Sequence, residues 1–119
     1  LALVARPVVW GKSAFSALAD DGIRDALRRR AVSQLFICGL ETPVCIYQTA
    51  LAALADGFQV TVLSDAVTAR RADDARTALA ALAQDGVKVL PAETVFYALL
   101  HDAAHPFFKG YTRLVKEYA

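Results

Sequence analysis

The sequence predicts a single α/β domain of three-layer α/β/α architecture, built around a parallel β-sheet. Short apolar segments alternate along the chain with alanine-rich segments of helical periodicity. This alternation is typical of right-handed βαβ units, in which helices cover both faces of a parallel sheet. The 119 residues contain no repeat and no linker, so residues 1–119 are expected to form one domain.

Two strands and two helices are predicted in the first half of the chain. Val8–Trp10 is a short apolar strand followed by a loop, and Gln34–Cys38 is an apolar strand that ends at Gly39. The helices are expected at Asp20–Arg30, where Ile23 and Leu27 share a face, and at Pro43–Ala55, before Gly57.

The second half continues the same alternation. Strands are predicted at Gln59–Leu63 and Val87–Leu90, the second ended by Pro91. Helices are predicted at Ala72–Gln84, at Glu93–Leu100 and from Pro106 to the end of the chain.

Composition narrows the functions that this chain can have. The net charge is +1 with interspersed signs, and Arg28–Arg30 closes a predicted helix, so we expect neither a nucleic-acid nor a membrane partner. Two cysteines without a disulfide framework fit a reducing cytoplasm. The apolar fraction of 56% and the pairs Phe96-Tyr97 and Phe107-Phe108 favour a homo-oligomer. The opening Leu-Ala-Leu-Val-Ala suggests the end of a helix, and we expect residues upstream of Leu1 to be missing.

Cys45 is the candidate nucleophile. Parallel sheets bind ligands beyond the carboxyl ends of their strands, where the segment Gly39–Cys45 lies. With Thr42 as N-cap and Pro43 first in the helix, Cys45 falls in the first turn, where free N–H groups stabilise a thiolate. The same N–H groups can hold an oxyanion. The alternative is that Cys45 is a small buried apolar residue. Cys38, inside an apolar strand, is expected to pack in the core.

Lys12 is the second candidate, because it follows the predicted strand Val8–Trp10 on the same edge of the sheet. It can supply positive charge to a thiolate, or it can simply be solvated. If the two residues form a site, the Lys12 ammonium must lie within a few ångströms of the Cys45 sulfur.

The segment "GLETPVCIYQTALAALADGFQVTVLSDAVTAR" resembles the isochorismatase-like cysteine hydrolase superfamily, and "WGKSAFSAL" is similar to its Lys-x-x-Phe-Ser segment. The C-terminal "DGVKVLPAETVFYALLHDAAHPFFKGYTRLVKEY" looks closest to the branch of isochorismatase domain-containing proteins, which includes proteins labelled MAR1 ribonuclease. The resemblance implies a Rossmann-like fold with a six-stranded sheet.

The resemblance also implies an Asp-Lys-Cys triad, in which Cys45 is the nucleophile and Lys12 the lysine. No Asp precedes Lys12 in the sequence, so either the chain is incomplete or the triad is. A non-proline cis peptide is implied at Leu40–Glu41, with an oxyanion hole formed by the backbone N–H groups of Glu41 and Cys45.

The predicted activity is hydrolysis of a small molecule, most simply at a C–N amide-type bond. Trp10, Phe15 and Tyr47 are candidate substrate-binding residues, although packing alone accounts for each of them. Neither a metal nor a cofactor is expected, because His101 and His105 lack an acidic or cysteine partner and the Asp-x-His-x-x-His segment of some relatives has no match.

Two other functions fit less well. A non-catalytic oligomeric scaffold of the same fold is supported by the absent aspartate. A nucleotide-binding α/β domain is disfavoured, because Gly39 stands alone and no Gly-x-Gly-x-x-Gly pattern follows a strand.

Overall fold

The computed structural model describes residues 6–119. The helix end expected at residues 1–5 lies outside this part of the chain. The described residues form three strands: β1 (Gln34–Leu40), β2 (Gln59–Thr68) and β3 (Lys88–Leu90). The five α-helices are α1 (Asp21–Arg29), α2 (Tyr47–Ala55), α3 (Ala72–Gln84), α4 (Ala92–Leu100) and α5 (Phe108–Tyr118).

The sheet is parallel throughout its described part, with strand order β1-β2-β3. In the described residues, β1 and β2 are each followed by a helix that returns the chain to the start of the next strand, as the βαβ alternation predicts. Gly57 and Gly86 have positive φ angles of 90° and 99° where the chain leaves α2 and α3, a conformation that glycine adopts without strain. The predicted α/β class with a parallel sheet is confirmed.

The main core lies between the sheet and helices α2 and α3. Alanines of α2 allow close approach to β2, and Ala50 and Ala53 are fully buried. The other members of this core are Leu18, Ile46, Phe58, Val60, Val62, Leu82 and Val87. Burial of these side chains is the main apolar driving force that holds the helices on the sheet.

The pairing of β1 with β2 is interrupted near the carboxyl end of β1. Ile37 pairs with Val62, but Gly39 pairs with Val67, so the β2 residues 63–66 lie opposite Cys38 alone. Asp65 lies in this irregularity and has no pairing partner on β1. Its carboxylate accepts a hydrogen bond from the Ala92 N–H at 2.9 Å. β2 therefore supports the first turn of α4 as well as the turn that follows β1.

Helices α4 and α5 are joined by aromatic rings. Phe96 and Tyr111 stack with ring centroids 3.8 Å apart, and Tyr97 meets Tyr111 edge-on at 5.2 Å. The Tyr97 hydroxyl also lies 3.1 Å from the Thr112 hydroxyl. The sequence suggested Phe96 and Tyr97 as part of an interface between copies, but both rings pack in part against α5 of the same chain.

The predicted strand Val8–Trp10 is wrong. These residues have no sheet partner in the described part of the chain and are exposed. A short apolar segment becomes a strand only beside another strand that satisfies its backbone groups. β2 is longer than predicted, because Ser64–Thr68 continues the strand beyond the irregularity. None of the described helices has the length and apolarity needed to cross a membrane.

Candidate active site

Cys45 lies in a single π-helical turn, Thr42–Ile46, that leads directly into α2. The Glu41 carbonyl accepts hydrogen bonds from the Val44 N–H at 3.1 Å and the Ile46 N–H at 3.2 Å. Pro43 suits this first turn because it has no N–H to satisfy. π-Turns of this kind occur frequently at functional sites.

The predicted N-cap is wrong by one residue. Glu41, with extended backbone, precedes the turn, and no side chain caps it. The Thr42 hydroxyl instead donates to the Thr68 carbonyl at 3.0 Å, across to the end of β2. Tertiary contact with β2 therefore replaces the local cap.

Lys12 and Cys45 converge, as predicted. The Lys12 ammonium nitrogen lies 3.9 Å from the Cys45 sulfur. It also donates to the carbonyls of Ala14 at 2.9 Å and Phe15 at 3.0 Å. The ammonium is thus held over its own loop and beside the Cys45 sulfur.

A hydrogen bond ties the Lys12 loop to the helix of Cys45. The Ala17 N–H donates to the Thr49 hydroxyl at 2.9 Å, and Thr49 lies four residues after Cys45. Ser16 also accepts from the Leu18 N–H at 3.2 Å, which stabilises the short 3₁₀ turn Ala17–Ala19. Sequence reasoning missed Thr49, whose only signal is a hydroxyl one turn beyond the candidate nucleophile.

Lys12 and Cys45 both border an open, largely apolar cleft of about 540 Å³. It runs along β1, an edge strand of the described sheet. The remaining lining residues are Ala17, Leu18, Ile23, Leu27, Leu35, Phe36, Ile37, Cys38, Gly39, Leu40, Ile46 and Thr49.

Cys38 is not in the core, which corrects the prediction. Its side chain is exposed and lines the same cleft as Cys45. Burial alternates along β1, so that Leu35 and Ile37 face the core while Phe36, Cys38 and Leu40 do not. The apolar run of β1 therefore suggested burial on both faces, whereas the described residues cover only one.

The three candidate substrate-binding residues do not line this cleft. The Arg30 guanidinium lies over Trp10, with its central carbon 5.8 Å from the centroid of the Trp10 ring. Phe15 is mostly exposed. Tyr47 lines a separate groove of about 330 Å³ between α2 and α3. A helical residue two positions after Cys45 points to a different side of the helix, which explains the placement of Tyr47.

Glu41 is joined to the preceding residue by the cis peptide bond expected at Leu40–Glu41. Its carboxylate oxygens lie 2.9 and 3.2 Å from the Arg70 Nε. The oxyanion-hole role of the Glu41 and Cys45 N–H groups stays a prediction. Sequence reasoning singled out no site residue in the connection after the predicted strand Gln59–Leu63, and so missed Arg70.

The two histidines serve local structure. The His105 ring nitrogen Nδ1 accepts from the Phe107 N–H at 3.1 Å, and His101 ends α4 with a positive φ angle of 62°. Among residues 6–119, no three His, Cys, Asp or Glu side chains are grouped closely enough to hold a metal ion.

Comparison with known proteins identifies the family of the chain. The sequence profile described as isochorismatase domain matches residues 2–94. Isochorismatase domain-containing protein 2 of Bos taurus is 43% identical over 89 residues, which are 75% of this chain and 44% of that protein.

Two solved structures extend the comparison. The MAR1 ribonuclease of Caenorhabditis elegans has a TM-score of 0.78 at 30% identity, over 87% of this chain and 53% of that one. The pyrazinamidase of Pyrococcus horikoshii, in complex with zinc, has a TM-score of 0.63 at 34% identity, over 68% and 45%. The chain thus spans about half the length of these relatives.

Proposed function

Because the chain belongs to the isochorismatase family, we propose that it carries the nucleophile of a cysteine-dependent hydrolase that cleaves a C–N amide-type bond in a small molecule. The observation that carries this proposal is the 3.9 Å approach of the Lys12 ammonium to the Cys45 sulfur at the border of a cleft. The name of the similar pyrazinamidase supports an amide as the bond type.

The proposed reaction assigns a role to each of these groups. The Cys45 thiolate attacks the substrate carbonyl carbon, a C–S bond forms, and the carbonyl oxygen takes the negative charge. Backbone N–H groups of Glu41 and Cys45 hold this oxyanion, and Lys12 stabilises the developing charge. The C–N bond then breaks, and the nitrogen leaves as an amine after receiving a proton. Water hydrolyses the thioester and regenerates the thiol.

The proton carrier in this scheme is the aspartate that the family resemblance implies ahead of Lys12. Residues 1–11 contain no aspartate. The proposal therefore concerns the nucleophile, its neighbouring cation and the cleft. The second candidate function is a non-catalytic oligomeric scaffold of this fold, which the exposed apolar side chains of the described residues support.

Turnover of small amides and ureides, measured with the unaltered protein and two variants, separates these functions. Cys45→Ala is expected to abolish turnover, whereas Cys38→Ala, which removes the other thiol of the cleft, is expected to retain it. Hydrolysis that survives in Cys45→Ala would refute the cysteine mechanism. A protein that hydrolyses none of the compounds would favour the scaffold.

The proposed assembly is a homo-oligomer. Several large apolar side chains are exposed, among them Phe36, Leu40, Leu99 and Phe107, and exposed apolar surface is typical of interfaces. Light scattering at micromolar concentration is expected to give a dimer or larger mass, and a monomer mass would contradict this part of the proposal.

A further inference from the structure

The turn that carries Cys45 is not positioned by regular sheet pairing alone. The ladder between β1 and β2 breaks opposite Cys38 and resumes only at Gly39 and Leu40, which pair with Val67 and Thr68. An irregularity of this kind redirects the chain and leaves its exit direction to be fixed by other contacts.

Two side-chain contacts connect the start of the turn to the end of β2. The buried Thr42 hydroxyl donates to the Thr68 carbonyl at 3.0 Å. Glu41, immediately before the turn, pairs through its carboxylate with Arg70, which lies two residues after the end of β2. Residues 41–42 are therefore bound to residues 68–70 through one neutral and one charged contact, which act at adjacent positions.

We propose that these two contacts form a clamp that positions the Cys45 turn, and that Thr42 and Arg70 are positioning residues for the thiol. The clamp consists of Glu41, Thr42, Thr68 and Arg70. It fixes the direction of the first N–H groups of the turn and the location of the sulfur beside Lys12. This inference rests on the proposed function for its catalytic meaning, but its test uses only the reactivity of the thiol.

The two contacts are expected to contribute differently to the stability of the protein. Thr42 is completely buried, so loss of its hydroxyl leaves the Thr68 carbonyl without this partner. The Arg70 side chain is 84% exposed, and an exposed ion pair adds little to stability. Removal of the guanidinium should therefore loosen the turn without unfolding the protein.

The test compares the rates at which iodoacetamide alkylates Cys45 and Cys38 in the same folded molecule. Thr42→Val keeps the shape of the side chain and removes its hydroxyl. It is expected to lower the Cys45 to Cys38 rate ratio at least about threefold, the scale of one lost neutral hydrogen bond, and Thr42→Ser is expected to restore the ratio.

Thr77→Val is the matched control, because the Thr77 hydroxyl also donates to a backbone carbonyl, that of Asp73 at 3.0 Å, but within α3. Its ratio should stay unchanged. An unchanged ratio in Thr42→Val, or an equal fall in Thr77→Val, would overturn the clamp.

Arg70→Gln keeps the inference testable if Thr42→Val fails to fold. We expect about a twofold fall in the ratio with an unchanged midpoint of thermal unfolding, as for the loss of an exposed ion pair. Arg71→Gln is the control, since Arg71 is similarly exposed and pairs with Asp74 at 2.7 Å, outside the turn. A ratio in Arg70→Gln no lower than in Arg71→Gln would overturn the role of the ion pair.

The outcome can be separated from the fate of the proposed function. A lowered Cys45 to Cys38 rate ratio in the clamp variants, with no amide turnover by the unaltered protein, would support the clamp and refute the hydrolase function. Turnover that requires Cys45, with rate ratios unchanged in every clamp variant, would support the hydrolase function and refute the clamp.

Discussion

The strand β2 supports two regions that are held together in different ways. Near its carboxyl end, one hydrogen bond and one ion pair connect this part of the chain to the Cys45 turn. At its irregularity, Asp65 accepts from the first N–H of α4, and α4 in turn contacts α5 through stacked aromatic rings. The first region depends on direction and charge, whereas the second depends mainly on apolar area. Substitutions in the first should alter reactivity, and substitutions in the second should alter stability.

The largest effect is expected in the α4–α5 region. Phe96→Ala removes the ring that stacks on Tyr111, and we expect the free energy of unfolding to fall by about 2 to 3 kcal/mol through lost burial and ring contact. Urea denaturation measures this change. Iodoacetamide labelling of Cys45 in the folded variant should match that of the unaltered protein.

Phe107→Ala is the control for that substitution, because the Phe107 ring is 67% exposed. Its cost should be below about 1 kcal/mol, as is usual for exposed positions. Equal costs for the two variants, or slower Cys45 labelling in Phe96→Ala, would show that the two regions are not separate.

The two cysteines provide the second test. We expect iodoacetamide to label Cys45 about tenfold faster than Cys38, because a helix N-terminus and an ammonium group both favour a thiolate. Access alone predicts the reverse, since Cys38 is exposed and Cys45 is half-buried. Mass mapping of the folded protein decides, and preferential labelling of Cys38 would contradict the role given to Cys45.

Lys12 sharpens the comparison further. Lys12→Met removes the charge 3.9 Å from the sulfur, and Cys45 labelling should slow by about fivefold, the size of one unit-charge interaction in water at this distance. Stability should not change measurably, because the ammonium is exposed. Lys116→Met, a substitution in α5, is the matched control, and Cys45 in this variant should be labelled at the rate of the unaltered protein.

The sequence predicted the fold more completely than the site. Helical periodicity and glycine stops located the carboxyl ends of α2 and α3 at their observed residues, Ala55 and Gln84, because these signals are local. The predicted start at Pro43 was wrong, because a π-helical turn precedes α2.

The Lys12–Cys45 convergence was predicted correctly, but from a strand, Val8–Trp10, that the described residues do not form. The prediction failed where tertiary contacts decide: Thr42 bonds β2 instead of capping its own helix, and Val8–Trp10 forms no strand without a neighbour.

Cys38 shows a further limit of reasoning from one strand. An apolar run indicates a buried strand, but exposure of each face depends on what packs there, which a single segment does not specify. Arg70 was missed for a related reason. Its partner Glu41 is 29 positions away, and only the register between β1 and β2 brings them together.

The smallest expected effect is a pH dependence of stability that arises at Tyr111, between α4 and α5. Partial burial raises the pKa of the Tyr111 phenol above its ordinary value, with further contributions from Glu93, Tyr97 and Asp65. A raised pKa means that the folded state holds the phenolic proton more tightly than the unfolded chain. The resulting stabilisation is fully present below the ordinary tyrosine pKa of about 10 and is lost as the pH rises through the folded-state value.

Between about pH 8 and pH 11, which brackets the tyrosine titration, the unaltered protein should therefore lose more stability than Tyr111→Phe. The difference should be a few tenths of a kcal/mol, because the ring is only partly buried and solvent screens its neighbours. Chemical denaturation at each pH measures it, with Tyr118→Phe as the exposed control. Parallel pH curves for the unaltered protein and Tyr111→Phe would show that the rings of α4 and α5 associate through apolar contact alone, without a contribution from the charge around Tyr111.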